Sequence, residues 1–234
     1  MKTTKENYSY GYAMHLQKPF KEKEKEFEIS LNKYEYYIIR FDGVEMTKAF
    51  KIKNKAINVP FFETMKKALY CFVEKYPEII LAYSFSDEIS VLFKSNANKD
   101  DMFSRNQKLL SILSAHLALE FKKAIEMTGL DNKEKDWLFD ARIIGCNKEE
   151  AIRYFIARQA LVIDKYLTQL KGEKGITLTL NKSKEIIDAL KEKGINYENL
   201  NPEHKYGLIY SAIQKDIQSF EFKGDQSKLS SLIE

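Results

Sequence analysis

The stretch Ile79-Ile80-Leu81-Ala82-Tyr83-Ser84-Phe85-Ser86-Asp87-Glu88-Ile89-Ser90-Val91-Leu92-Phe93 decides the fold. Its two halves, 79–83 and 89–93, have the β-branched and aromatic content of strands. The link 84–88 is too short for a crossover, so the two strands form a hairpin. Upstream, Pro60 opens a helical stretch to about Tyr76, with Phe61, Met65, Ala68, Leu69, Phe72 and Val73 at helical spacing; Pro77 ends it. Before it lies a first strand, Tyr36-Tyr37-Ile38-Ile39-Arg40-Phe41, stopped by the turn dipeptide Asp42-Gly43. Downstream, 102–127 reads as one helix striped by Leu109, Leu110, Leu113, Leu117 and Phe121. A strand around 141–144 and a helix over about 148–170 follow. The order is β-α-β-β-α-β, the split βαβ pattern, which predicts an α+β fold with a mixed sheet and helices packed on one face.

The flanks read differently. Residues 1–33 form a polar N-terminal arm whose run Lys21-Glu22-Lys23-Glu24-Lys25-Glu26 is expected to be a solvated helix. Residues 171–234 are broken by Gly172, Gly175 and Gly194, with a helix over 182–193 capped by Asn181. With no Gly-, Pro- or Ser-rich linker before it, this helical C-terminal extension is expected to pack on the main domain, 34–170.

Composition narrows the class. Hydrophobic residues make up 44% of the 234, enough for one sizeable core. No apolar run approaches the roughly 20 residues that span a bilayer, and no apolar segment follows Met1-Lys2-Thr3, so neither a membrane span nor a signal peptide is expected. Two cysteines, Cys71 and Cys146, in no metal-type spacing suit a reducing cytoplasm. A net charge of +4 argues only weakly for a nucleic-acid partner. There is no Walker loop and no dinucleotide fingerprint. His15, His116 and His204 sit in no ligand or triad spacing, and His116, beside the apolar stripe of its helix, reads as structural. Trp137 has no role that the sequence assigns.

Two carboxylates stand out by position. Asp42 ends the first strand and Asp87 sits at the tip of the hairpin. In a βαββαβ sheet the first and third strands are central neighbours, so both acids should meet at one edge of the sheet. Taken singly, Asp-Gly after a strand and Ser-Asp-Glu at a hairpin tip are ordinary turns; their convergence is the signal. Mg²⁺ is commonly held by one or two carboxylates plus substrate phosphates. Two such ions, roughly 3.5–4 Å apart, stabilise attacking and leaving oxygens in phosphoryl transfer. Gly43, without a Cβ, lets the backbone approach an ion or phosphate.

Four short motifs then carry a resemblance. Residues 37–43, ending Arg40-Phe41-Asp42-Gly43, are similar to a strand-Arg-x-Asp-Gly motif, and 82–90 to Ala-Tyr-x-x-Ser-Asp-Glu-x-Ser. Phe139-Asp140-Ala141-Arg142 resembles Phe-Asp-x-Arg, and Arg158-Gln159-Ala160 resembles Arg-Gln-Ala. In this order and spacing, over about 34–210, the chain resembles the tRNA-His guanylyltransferase family. The resemblance implies a polymerase-like palm with a ferredoxin-like core, working in reverse: a tRNA 5′-monophosphate is activated with ATP, and the 3′-hydroxyl of an incoming nucleotide, usually GTP, attacks it. It implies Asp42, the Gly43 carbonyl and Asp87 as ligands of two Mg²⁺ ions, with Asp42 and Asp87 catalytic. It implies a nucleotide held along Val44, Glu45, Met46 and Thr47 and against Ser86, with Lys55, Arg105, Lys108 and Arg142 on its phosphates. A homotetramer that binds tRNA and nucleoside triphosphates is the family expectation.

The chain also departs from the pattern. Where eukaryotic members follow Arg-Gln-Ala with His-Ile-Asn-Asn-Leu-Tyr-Asn, this chain reads Ile163-Asp164-Lys165-Tyr166-Leu167-Thr168-Gln169. The tryptophan before Arg-Gln is Ala157, and the Lys-Pro-Asn-Asp loop reads Lys55-Ala56-Ile57-Asn58. These losses point away from anticodon-directed addition of one G and toward templated repair of truncated tRNA 5′ ends. Two alternatives stay open: another palm-type nucleotidyltransferase making cyclic or signal nucleotides, and a non-catalytic RNA-binding relative.

Overall fold

The computed structural model describes residues 10–50, 58–95, 105–130, 136–177 and 183–233, with side chains from residue 17 onward except Thr47 and Ala49. The elements in order are α1 (Tyr10–Glu26), β1 (Tyr36–Gly43), α2 (Met46–Phe50), α3 (Val59–Glu74), β2 (Ile79–Phe85), β3 (Glu88–Lys94), α4 (Asn106–Thr128), β4 (Phe139–Cys146) and α5 (Lys148–Glu173). Then come α6 (Ser183–Glu192), α7 (Pro202–Tyr206), β5 (Leu208–Ser211), β6 (Asp216–Gln218) and α8 (Gln226–Ser231). Residues 17–26 of α1 are exposed, as a solvated arm requires. Among the described residues no helix is long and apolar enough to cross a membrane.

The six strands form one sheet in the order β4-β1-β3-β2-β5-β6. The expected mixed sheet is corrected here: every pairing is antiparallel. The reason is topological. The crossover from β1 to β2 steps over β3, and that from β3 to β4 steps over β1, so parallel strands never become neighbours.

The expectation of helices on one face is also corrected. On one face Tyr37, Ile39 and Phe41 pack against Phe61 and Phe72 of α3 and Leu109, Leu113, Leu117 and Phe121 of α4. On the other, Tyr36, Ile38, Leu81 and Tyr83 pack against Phe155 and Leu167 of α5, Ile186 and Leu190 of α6, and Phe222 and Leu229 near the C-terminus. The strand Tyr36-Tyr37-Ile38-Ile39 is apolar at consecutive positions, and a strand buried on both faces reads that way. Asn147 starts α5 through a capping box: its side chain accepts from the Glu150 amide while the Glu150 carboxylate accepts from the Asn147 amide. Trp137 finds its place in the first core, stacked on Phe50 with ring centroids 4.3 Å apart. His116 pairs with the hydroxyl of Tyr76, in keeping with a structural histidine.

Residues 171–234 are more than a helical extension. They add β5 and β6 to the sheet, with β5 paired to β2 from Leu81↔Ser211 to Ser84↔Leu208. The expected cap Asn181 lies outside the described residues. Gln159 and Gly207 are among the residues that seat this segment. Gln159 of α5, 2% exposed, donates to the carbonyls of Tyr206 and Phe220 and accepts from the Phe222 amide at 2.6 Å. Gly207 has φ 81° and ψ −178°, a region that essentially only glycine occupies. A Cβ there would lie 2.8 Å from the Ser84 carbonyl oxygen and from the Tyr83 ring.

Gly207→Ala therefore combines backbone strain with a collision against β2. It is expected to lower the unfolding free energy by about 2 kcal/mol or more, read by urea denaturation. An unchanged midpoint would show that the segment is not seated on β2 in this way.

Candidate active site

Strand pairing fixes where the acidic residues fall. Asp42 stands opposite Glu88, and the Gly43 amide donates to the Asp87 carbonyl at 2.9 Å. The end of β1 is thus tied to the tip of the β2–β3 hairpin. The tip is a two-residue turn, Ser86-Asp87, closed by the Phe85↔Glu88 pair. Ser86 takes φ 56°, a left-handed conformation that tight hairpins need and that is costly for a residue with a Cβ. Its Oγ donates to Asp87 Oδ1 at 3.0 Å, and both residues are buried at 6% exposure.

Asp42 and Asp87 line a single cavity of ≈ 130 Å³, together with Tyr83, Phe85, Glu88, Arg158, Leu161, Val162 and Lys165. The strand edges supply the carboxylates and α5 supplies the facing wall. Positions 158, 161, 162 and 165 are one face of a helix, at i, i+3, i+4 and i+7. Arg158 hydrogen-bonds the Glu88 carboxylate. Burial pushes the Glu88 carboxyl up from its ordinary range, while Arg158 pulls the other way. The Ser90 and Tyr154 hydroxyls pair at 2.9 Å between β3 and α5. Burial also raises the Tyr83 phenol well above its ordinary range; its hydroxyl donates to the Tyr206 carbonyl at 2.9 Å, joining the cavity wall to the C-terminal segment.

Gly43 is required for packing as well as approach: a Cβ would sit 2.4 Å from the sulfur of Met46. Met46 itself is fully buried in the core, so its side chain is not open to solvent. Val44 and Glu45 are exposed beside Asp42, and Glu45 pairs with Lys48 at 2.7 Å. The Thr47 side chain and Lys55 lie outside the described residues.

The basic residues do not all converge. Arg142 lies on the edge strand β4, in register with Arg40, and holds Asp140 at 2.8 Å; it lies outside the cavity. Arg105 and the exposed Lys108 sit at the far end of the sheet. Arg105 bridges Ser30, and Ser95, whose hydroxyl donates to the neighbouring Leu31 carbonyl at 3.0 Å, directly follows the Lys94 that pairs with Tyr36 at the start of β1. Six residues of strand separate that end from Asp42, about 20 Å. Arg105 instead approaches Glu28 at 3.6 Å.

Glu88, Arg158 and Lys165 also line the cavity, and no sequence pattern singles them out as site residues. Glu88 and Arg158 stand inside the quoted motifs, where their pairing was the missing fact. The signal for Lys165 was its helical spacing of seven from Arg158. Among the described residues no three His, Cys, Asp or Glu side chains close around a common point.

The folded-state proton affinity of Glu88 lies above its unfolded value, so the unfolded chain gives up this proton first as pH rises. Its contribution to stability is complete below about pH 4.5 and declines as pH climbs through the folded value. Glu88→Gln should flatten this part of the stability profile. Urea titrations from pH 4 to 7 test it; parallel wild-type and variant curves would sink the assignment.

A family model described as tRNAHis guanylyltransferase (Thg1) matches residues 17–147. The tRNA(His) guanylyltransferase of Debaryomyces hansenii is 28% identical over 202 residues, covering 74% of this chain and 72% of its own length. A bacterial tRNA(His) guanylyltransferase-like protein solved in complex with ATP shares the fold with a TM-score of 0.75 at 21% identity, over 94% of this chain and 99% of that one. The Saccharomyces cerevisiae tRNA(His) guanylyltransferase does so with a TM-score of 0.69 at 21% identity, over 91% and 96%. Since the family model spans more than half of the 234 residues, the chain belongs to the tRNAHis guanylyltransferase family of nucleotidyltransferases.

Proposed function

We propose that this chain extends the 5′ end of a tRNA, activating a 5′-monophosphate with ATP and then joining it to the 3′-hydroxyl of an incoming nucleotide such as GTP. One observation carries the reading to specific residues: Asp42, at the end of β1, and Asp87, in the turn of the β2–β3 hairpin, line one cavity at the edge of the sheet. The family's nucleotidyl transfer needs oxygen ligands placed together in this manner.

On this reading the sheet order β4-β1-β3-β2 is a polymerase-like palm with a ferredoxin-like core. Residues 34–170 form the catalytic unit, 1–33 an arm and 171–234 a packed extension. The donor set fits Mg²⁺: two carboxylates on an open cavity, beside a backbone with no Cβ, leave the remaining coordination positions to water and phosphate. Asp42, the Gly43 carbonyl and Asp87 would hold two ions, which supply charge stabilisation to the attacking and leaving oxygens.

The protein's own groups prepare that site. The Ser86 hydroxyl orients the Asp87 carboxylate. Arg158 holds Glu88, directly across from Asp42, so the three acids are not left to repel one another unscreened. Val44 and Glu45 stand open beside Asp42 to receive the nucleotide. Arg105 and Lys108, about 20 Å away along the strands, belong to a different surface of the same chain. Segment 163–169, which lacks the eukaryotic pattern, favours templated repair of truncated 5′ ends. Assembly as a homotetramer in the cytoplasm belongs to the same reading.

The test uses a tRNA with a labelled 5′-monophosphate and no first nucleotide, mixed with the protein, ATP, GTP and Mg²⁺ and resolved on a denaturing gel. The RNA should lengthen, and varying the opposing base should change which nucleotide is added. Asp42→Ala and Asp87→Ala should each slow extension by about 10³-fold or more, the several kcal/mol a metal clamp supplies. Full extension by either variant would remove it from the catalytic centre.

A further inference from the structure

The cavity has two walls of opposite charge. Strand ends contribute Asp42, Asp87 and Glu88, and α5 contributes Arg158 and Lys165. The two cations differ in commitment. Arg158 is bonded to Glu88, and its side chain is 23% exposed. Lys165 is exposed at the cavity rim, and among the described residues no hydrogen bond or ion pair engages its ammonium.

Helix geometry aims it. Seven residues separate Arg158 from Lys165, two turns of α5, so both lie on one face about 10 Å apart along the axis. Leu161, 60% exposed, lies between them on that face. The register of α5 is itself fixed, because Gln159 is clamped by three hydrogen bonds to the C-terminal segment. Lys165 also falls at the third position of segment 163–169, where this chain departs from the eukaryotic pattern.

We infer that Lys165 is a phosphate-binding residue of this site, and the inference rests on the nucleotidyl-transfer reading above. Once cations neutralise Asp42 and Asp87, a substrate phosphate still presents outer oxygens that need a counter-charge in a partly dry cavity. One terminal nitrogen of Arg158 is engaged by Glu88, and its Nε–H is buried without a partner among the described residues. Lys165, a compact charge with three donors on a flexible stem, is free to reach those oxygens. The phosphate has two possible sources of the same chemistry, the triphosphate of the nucleotide and the 5′-phosphate of the RNA.

Binding measured in Ca²⁺, before any turnover, tests this with two probes: a fluorescent GTP analogue, and a truncated tRNA carrying either a 5′-phosphate or a 5′-hydroxyl. Lys165→Ala should weaken a phosphate-bearing probe about tenfold, leave the 5′-hydroxyl tRNA unchanged, and be rescued by Lys165→Arg. A loss confined to the GTP analogue assigns Lys165 to the triphosphate; a loss confined to 5′-phosphorylated tRNA assigns it to the RNA end. Wild-type affinity of Lys165→Ala for both probes overturns the inference, and does so without touching the nucleotidyl-transfer reading if the wild-type chain extends tRNA. A wild-type chain that binds neither probe overturns both.

Discussion

The hydrogen bond from the Gly43 amide to the Asp87 carbonyl joins the end of β1 to the tip of the β2–β3 hairpin, and the site depends on it. With the Asp42↔Glu88 pairing it sets the register of the two central strands. A slip of one residue would turn each of these side chains to the other face of the sheet. Asp42 would then point into the core of Phe61, Phe72 and Phe121. The carboxylates can stand together only because the apolar residues of β1 fix that register from both sides, Tyr37, Ile39 and Phe41 on one face and Tyr36 and Ile38 on the other.

Around this tie the molecule divides its work by element. Strand ends hold the acids, and α5 covers the face on which they stand. Gln159 and Arg158, adjacent in sequence, point in different directions from that helix. Gln159 fastens the C-terminal segment, while Arg158 reaches the cavity and meets Glu88. A mutation in the clamp and a mutation in the cavity wall would therefore act on different properties, the first on seating of residues 206–222 and the second on charge beside Asp42. Tyr83 links the two regions, lining the cavity while donating to the carbonyl of Tyr206.

Glycine appears where backbones or side chains crowd. At Gly43 the competitor for space is Met46, a residue that sequence comparison suggests as part of the nucleotide site and that is buried beneath it. Met46 thus shapes the loop from below, while Val44 and Glu45 remain open above. The basic residues show the same contrast between sequence and space. Arg158 and Lys165 gather at the acids, whereas Arg105 and Lys108 start the long helix α4 at the opposite end of the sheet.

Much of this was legible in the chain itself. Periodicity and turn residues located β1 to β4 and the helices α3 and α4, because each carries a strong local pattern, whereas the five-residue α2 is too short to show one. The short hairpin link and the βαββαβ order were enough to bring Asp42 and Asp87 to one edge. Local pattern could not report the all-antiparallel sheet, since pairing depends on which strand each crossover skips. Nor could it report β5, four residues long and defined by its bonds to β2. The pairing of Glu88 with Arg158, 70 residues apart, the burial of Met46, and the place of Lys165 on the cavity rim were decided by tertiary structure alone. Each depends on where α5 lies across the sheet, and that is set by packing between residues far apart in the chain.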